Sequence, residues 1–184
     1  MPPNPPSTPM IMANGAEVWK NHDELLSRFE LPPAAVSELI ALAKDHAVHY
    51  WTLGNCEEDP SSIEAGCLKV GMYHHDPEVI AQLRERVAAI GDFEVSSSAS
   101  DNVEVNRRGV TKAAGLAEVT ALLGIKPREV VAIGDNINDL AMIEWAGYGV
   151  AMENAIEIVK DVADHVTGSN DKDGVAQLIQ SILK

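Results

Sequence analysis

The chain has 184 residues, and its 14 Lys and Arg stand against 28 Asp and Glu, a formal charge of −14. That balance excludes a general nucleic-acid binder, because phosphate affinity rests on clustered Lys and Arg. A hydrophobic fraction of 46% with 23% charged residues is ordinary for a globular protein, and the length accommodates one domain or two small ones. No run of 18 apolar residues is present, and Met1-Pro2-Pro3-Asn4-Pro5-Pro6 has neither the basic nor the apolar segment of a secretory signal, so no membrane association is expected. Cys56 and Cys67, the only cysteines, have neither zinc-site spacing nor disulfide density, which fits a reduced, cytoplasmic setting.

In chain order, residues 1–8 read as a proline-rich extended leader. Met10-Ile11-Met12-Ala13 reads as a short buried strand ending in the turn Asn14-Gly15, and Ala16 to Trp19 as a second strand. Pro32-Pro33 opens a helix from Ala34 to about His46, with Val36, Leu39, Ile40 and Ala43 on its apolar face. Tyr50 to Leu53 and Leu68 to Tyr73 read as strands, separated by an acidic, Pro- and Ser-rich loop over residues 57–62. Asp76-Pro77 then caps and starts a helix that buries Val79, Ile80, Leu83, Val87 and Ile90. Phe93 to Ser97 and Asn102 to Asn106 alternate like an antiparallel pair, which makes the middle of the chain an α+β unit.

After Arg107 the pattern changes to helix and strand in turn. Helices are expected from about Ala113 to Leu123, Asp139 to Ala146, Ala155 to Ala163 and Gly174 to Leu183, and apolar strands at Val130 to Ile133, Gly149 to Ala151 and His165 to Thr167. Short strands without polar alternation, interleaved with amphipathic helices, imply a parallel sheet covered on both faces. A ligand is expected at the carboxyl ends of those strands.

Gly134-Asp135-Asn136-Ile137-Asn138-Asp139 stands at such a strand end. Repulsion between Asp135 and Asp139 would be costly unless a cation sat near them, and hard oxygen ligands favour Mg²⁺. The same residues also suit an Asx-rich turn that caps the following helix. Upstream, Lys112 of Gly109-Val110-Thr111-Lys112 falls at a helix N-terminus, against the macrodipole, and so asks for an anionic partner such as a phosphate or a carboxylate. His46 and His49, three apart on a predicted helix, and His74-His75 lack further metal-ligand spacing and read as solvated or core histidines. Trp19, Trp51 and Trp145, with Met10, Met12, Met142 and Met152, read as packing residues, and residues 57–59 as a solvated loop.

Four motifs in order then resemble the haloacid dehalogenase superfamily, and within it the Cof-type phosphatases with an α/β cap: residues 105–112, 131–143, 146–155 and 163–176. Met10 to Val18 is similar to the strand and Asn-Gly-Ala turn that precede the cap in that family. The resemblance implies a partial Rossmann-like parallel sheet over residues 9–20 and 107–184, with an inserted α+β cap at 21–106. It also implies a Mg²⁺-dependent hydrolase of small phosphate monoesters, sugar phosphates among them, whose partner is a small phosphorylated metabolite. Lys112 would bind phosphate and steady the nucleophile, Asp135 would bind Mg²⁺, and Asn138 would contact the phosphoryl group. Asp139 would orient Lys112 or a metal-bound water, and would belong with Asp135 to the metal site. Asn14 would lie near the substrate pocket, and Glu104 matches an acidic residue common in the family just before the Lys motif.

The family's opening apolar strand with Asp-x-Asp-Gly-Thr, which carries the nucleophile and the acid, has no counterpart before Met10. The string Asp171-Lys172-Asp173-Gly174 belongs to the C-terminal pattern and is rejected as a nucleophile. These residues alone are therefore expected to be inactive, and either to self-associate through an exposed core edge or to be only marginally stable. The alternative is a non-catalytic remnant that serves as a binding or interaction module.

Overall fold

The computed structural model describes residues 8–54 and 66–183. Residues 1–7 of the expected leader, Cys56 and the acidic loop at 57–62 lie outside them. By their contacts the residues form two units, one ending at Thr111 and one spanning Lys112–Lys184.

In the first unit, β1 (Met10–Met12), β2 (Glu17–Trp19) and β3 (Leu25–Arg28) form an antiparallel sheet in that order. Between β1 and β2, Ala13, Asn14 and Gly15 all have positive φ, at 50°, 62° and 102°. A Cβ on Gly15 would stand 2.3 Å from the Thr111 carbonyl oxygen, so backbone conformation and close approach both call for glycine there. β3 has no counterpart among the elements expected from sequence. Leu25, Leu26, Ser27 and Arg28 neither alternate nor carry β-branched side chains, and their extended form comes from pairing with β2.

The rest of the unit is α1 (Pro33–Asp45), β4 (His49–Gly54), β5 (Cys67–Tyr73), α2 (Pro77–Ile90), β6 (Phe93–Ser96) and β7 (Asn102–Arg107), with an antiparallel sheet in the order β4-β5-β7-β6. His49 opens β4, so it shares no helix with His46, which ends α1. Asp76 caps α2 by accepting the Glu78 N–H at 2.9 Å, with Pro77 in the first turn, as the sequence predicts. Val36, Leu39 and Ile40 of α1 and Ile80, Leu83 and Val87 of α2 pack on Val70, Met72, Val103 and Val105. Each such aliphatic side chain contributes roughly 1.5–3 kcal/mol by its burial. Met12, expected inside, is half exposed.

Strand alternation sends the neighbours of those valines to the opposite face, where Trp51, Gly71, Glu104 and Ser96 form one cross-strand row. Glu104 is buried there with Lys69, whose Nζ is 3.0 Å from its Oε2. It also accepts bonds from Asn14 Nδ2 at 2.7 Å and Ser98 Oγ at 2.9 Å. Asn106 donates to the Ala13 and Leu68 carbonyls and so ties the left-handed turn to the sheet.

The second unit contains α3 (Lys112–Leu123), β8 (Val131–Gly134), α4 (Ile137–Trp145), β9 (Tyr148–Met152), α5 (Glu157–Val162), β10 (His165–Thr167) and α6 (Gly174–Ile182). Its sheet is parallel in the order β10-β9-β8, as the unbroken apolar strands predict. Ile143 of α4, Ala151 and Met152 of β9, Ala155 and Val159 of α5 form its core. Among the described residues β8 pairs on one side only, and Val131, Ile133, Leu178, Ile179, Ile182 and Leu183 line an apolar cavity of roughly 300 Å³ beside it. No described helix is long and apolar enough to cross a membrane.

Burial alone would push the Glu104 carboxyl up, but the bonds from Asn14, Lys69 and Ser98 and the charge of Lys69 hold it below its ordinary value of 4.5. Folding therefore favours the charged form. The stability this supplies is present above pH 4.5 and is lost as acid carries the pH down through the lowered value. Glu104→Ala should cost about 3 kcal/mol in urea unfolding at pH 7, because it strands the Lys69 ammonium among buried groups. It should also flatten the acid limb of the stability curve, and an unchanged limb would show that Glu104 carries none of it.

Candidate active site

β8 ends in Gly134, and two residues, Asp135 and Asn136, lead directly into α4. Asn136 is the N-cap, its side-chain oxygen accepting the Ile137 N–H at 2.9 Å. Asp139 reaches back to close a capping box: its Oδ2 accepts the N–H groups of Asp135 at 2.9 Å and Asn136 at 3.2 Å. A Cβ on Gly134 would lie 2.3 Å from the Asp139 Cβ, so this return is possible only over glycine.

The other oxygen of Asp139 takes Lys112 Nζ at 2.5 Å. Lys112 is the first residue of α3, where the helix dipole disfavours its charge. The anion it needs is the Asp139 carboxylate, which is only 4% exposed. Asp139 thus caps α4, as the Asx-turn reading expects, and its other oxygen is taken by the ammonium of Lys112.

Asp135 is in a different situation. It is half buried, its Oδ2 accepts the Asn154 side-chain amide at 3.0 Å, and its carbonyl accepts the Ile156 N–H at 3.1 Å. Asn154 in turn accepts the Asn170 N–H at 2.9 Å on its own oxygen. Asn138 lies in the first turn of α4, half buried. Lys112, Asp135, Asn138 and Asp139 are therefore gathered in the second unit. Asn14 lies in the first unit, bound to Glu104 and within 3.4 Å of Ser96 Oγ.

Both Asp139 oxygens are engaged by Lys112 and backbone amides, whereas Asp135 has an amide partner and no ion pair among the described residues. Asp135 would therefore be the carboxylate left to hold a hard, partly hydrated cation. No group of three or more His, Cys, Asp or Glu among the described residues forms an all-protein metal cage. His46, His74 and His75 have local partners instead, in the Leu42 carbonyl, the Asp76 N–H and the Tyr73 hydroxyl.

Asp171 and Asp173 fall in a 3₁₀ turn and at the start of α6. Ser169 Oγ donates to Asp171, and Asp173 is left-handed at φ 56°. They do not stand at a buried strand end, consistent with their rejection as nucleophile and acid. The residue that sequence reading passed over is Asn154. It lies inside the motif at 146–155, but its pairing with Asp135 spans 19 positions and leaves no periodic signal.

A parallel α/β unit with an acidic strand-end turn and a lysine braced by a buried carboxylate is the framework of an enzyme handling anionic groups. The chain belongs to the haloacid dehalogenase-like hydrolase family, which its residues 56–179 match. It is 38% identical over 176 residues to the 5-amino-6-(5-phospho-D-ribitylamino)uracil phosphatase YcsE of Bacillus subtilis (strain 168), covering 93% of this chain and 71% of that protein. The similarly described YitU of the same organism is 28% identical over 205 residues, covering 95% and 76%. Among solved structures, a haloacid dehalogenase-like hydrolase from Bacteroides thetaiotaomicron matches at 28% identity and a TM-score of 0.73, over 92% of this chain and 74% of that one. A haloacid dehalogenase-like hydrolase from B. subtilis shares the fold with a TM-score of 0.84 at 23% identity, over 94% and 79%.

Removing the Asp139 carboxylate unpairs Lys112 and two amides at once. Asp139→Ala is expected to destabilise the protein by about 2–4 kcal/mol in chemical denaturation, and Asp139→Asn by less, since an amide oxygen can still accept. Equal losses in the two variants would show that charge, not acceptor geometry, is what Asp139 contributes.

Proposed function

We propose that this chain supplies the cap and part of the core of a Mg²⁺-dependent hydrolase of small phosphate monoesters, sugar and polyol phosphates among them. Residues 21–106 would form the cap that selects the leaving group, and residues 9–20 with 107–184 the core. The observation that carries the reading is the Lys112–Asp139 ion pair fixed beside the Asp135 strand end. The relatives named for 5-amino-6-(5-phospho-D-ribitylamino)uracil support that compound as the first substrate to test. Two cysteines in 184 residues, too few for a disulfide framework, support a cytoplasmic setting.

In this reading Lys112 binds the phosphoryl oxygens, and Asp139 holds its ammonium in place so that little reorganisation accompanies the transfer. Asn138 donates its amide to the same group. Asp135 would hold the cation, which when bound neutralises charge on the phosphoryl group and on the attacking carboxylate. The attacking and protonating Asp residues of the family lie on an Asp-x-Asp-Gly-Thr strand, and residues 1–184 contain no such string.

A polypeptide of these 184 residues should accordingly leave p-nitrophenyl phosphate intact in the presence of Mg²⁺. Turnover that survives purification and vanishes in Asp135→Ala would overturn that expectation. In a protein joining this chain to such a strand, Lys112→Ala should lower kcat/KM about 100-fold or more, and an unchanged value would remove Lys112 from the site.

The open side of β8 and the apolar surface of α6 are further proposed to drive self-association of the 184-residue polypeptide. Its sedimentation should be concentration-dependent, with Val131→Lys shifting it to monomer. A monodisperse, high-melting monomer at every concentration would refute this.

A further inference from the structure

We infer that Asn154 is a positioning residue, which orients the Asp135 carboxylate toward a divalent cation while leaving its charge intact. The inference rests on the reading of Asp135 as the cation's protein ligand.

Asn154 is exposed between β9 and α5, yet both ends of its carboxamide are committed. Its oxygen takes the backbone N–H of Asn170, and its nitrogen donates to Asp135 Oδ2. A flipped amide would set nitrogen against a backbone donor and oxygen against a carboxylate, so the contacts admit one orientation. The same stretch grips Asp135 a second time through the Ile156 N–H on its carbonyl. Side chain and backbone of Asp135 are thus fastened to one short segment, and that segment is anchored at its far side to the turn around Asn170.

The choice of partner matters. Asp139 is oriented by an ammonium, which neutralises it. Asp135 is oriented by an amide, which fixes one oxygen and leaves the full negative charge to a cation. Its Oδ1 takes none of the side-chain hydrogen bonds among the described residues, and is the oxygen the amide leaves for that cation. Partners that hold a ligating carboxylate this way typically govern metal affinity by about 10–100-fold.

The test is Mg²⁺ titration of the ¹⁵N-labelled 184-residue protein, read at the Asp135 and Asn136 amides, with Mn²⁺ broadening of the same signals as a second readout. Asn154→Ala should weaken Mg²⁺ binding about tenfold and speed hydrogen exchange at the Asn170 amide, while the spectrum stays that of a folded protein. Lys172→Ala breaks the 3.1 Å contact with Glu153 that ties the same turn, and leaves the Asn154–Asp135 bond in place. It should loosen the turn without changing Mg²⁺ affinity.

Parent-like affinity in Asn154→Ala, or an equal loss in Lys172→Ala, would overturn the positioning role. Asp135→Ala separates the two levels. If it binds Mg²⁺ as the parent does, or if the parent shows no saturable shift, the reading of Asp135 itself fails.

Discussion

The second unit is organised around one buried carboxylate. Asp139 accepts two backbone N–H groups at the end of β8 and an ammonium at the start of α3, so a strand and two helices are registered to a single side chain. A carboxylate this deeply buried is tolerated only when every oxygen is occupied. That requirement fixes where Lys112 can stand, why residue 134 has no side chain, and why the acidic turn survives beside Asp135. The ion pair is therefore less a source of stability than a constraint on geometry, and the site inherits its precision from it.

Much of this arrangement could be read from residue order. Helix starts with a built-in signal, such as Asp76-Pro77, fell where the sequence places them, and the apolar strands of the second unit read correctly as parallel. Lys112 betrayed its need for an anion by standing at a helix N-terminus. What stayed hidden was long-range. β3 exists because β2 offers it an edge, and His49 left the helix because the chain reverses at Ala47, with φ 52°. The identity of the cation beside Asp139 was equally out of reach, since charge repulsion asks for a positive group without saying whether it is a metal or a lysine 27 positions away.

The two units meet their polar burial differently. The first sets a lysine and a glutamate against each other and completes the set with Asn14, Ser98 and Asn106, side chains that carry no charge. The second divides its two acids: one is neutralised, the other only steered. The chain shares its family with known hydrolases, while the division itself follows from which donor, ammonium or amide, each carboxylate meets.

The left-handed turn at Ala13–Gly15 has a consequence for the order of events during synthesis. Its stabilising partners, Glu104 and Asn106, lie 90 and 93 residues further along the chain. Closing so long a loop is entropically slow, and contacts of that separation form late. A nascent chain leaving the ribosome must carry this turn without its partners until β7 has emerged. Over that interval Ala13 and Asn14 keep their left-handed φ with only the local β1–β2 pairing and the Ala16 N–H bond to the Ala13 carbonyl to hold them.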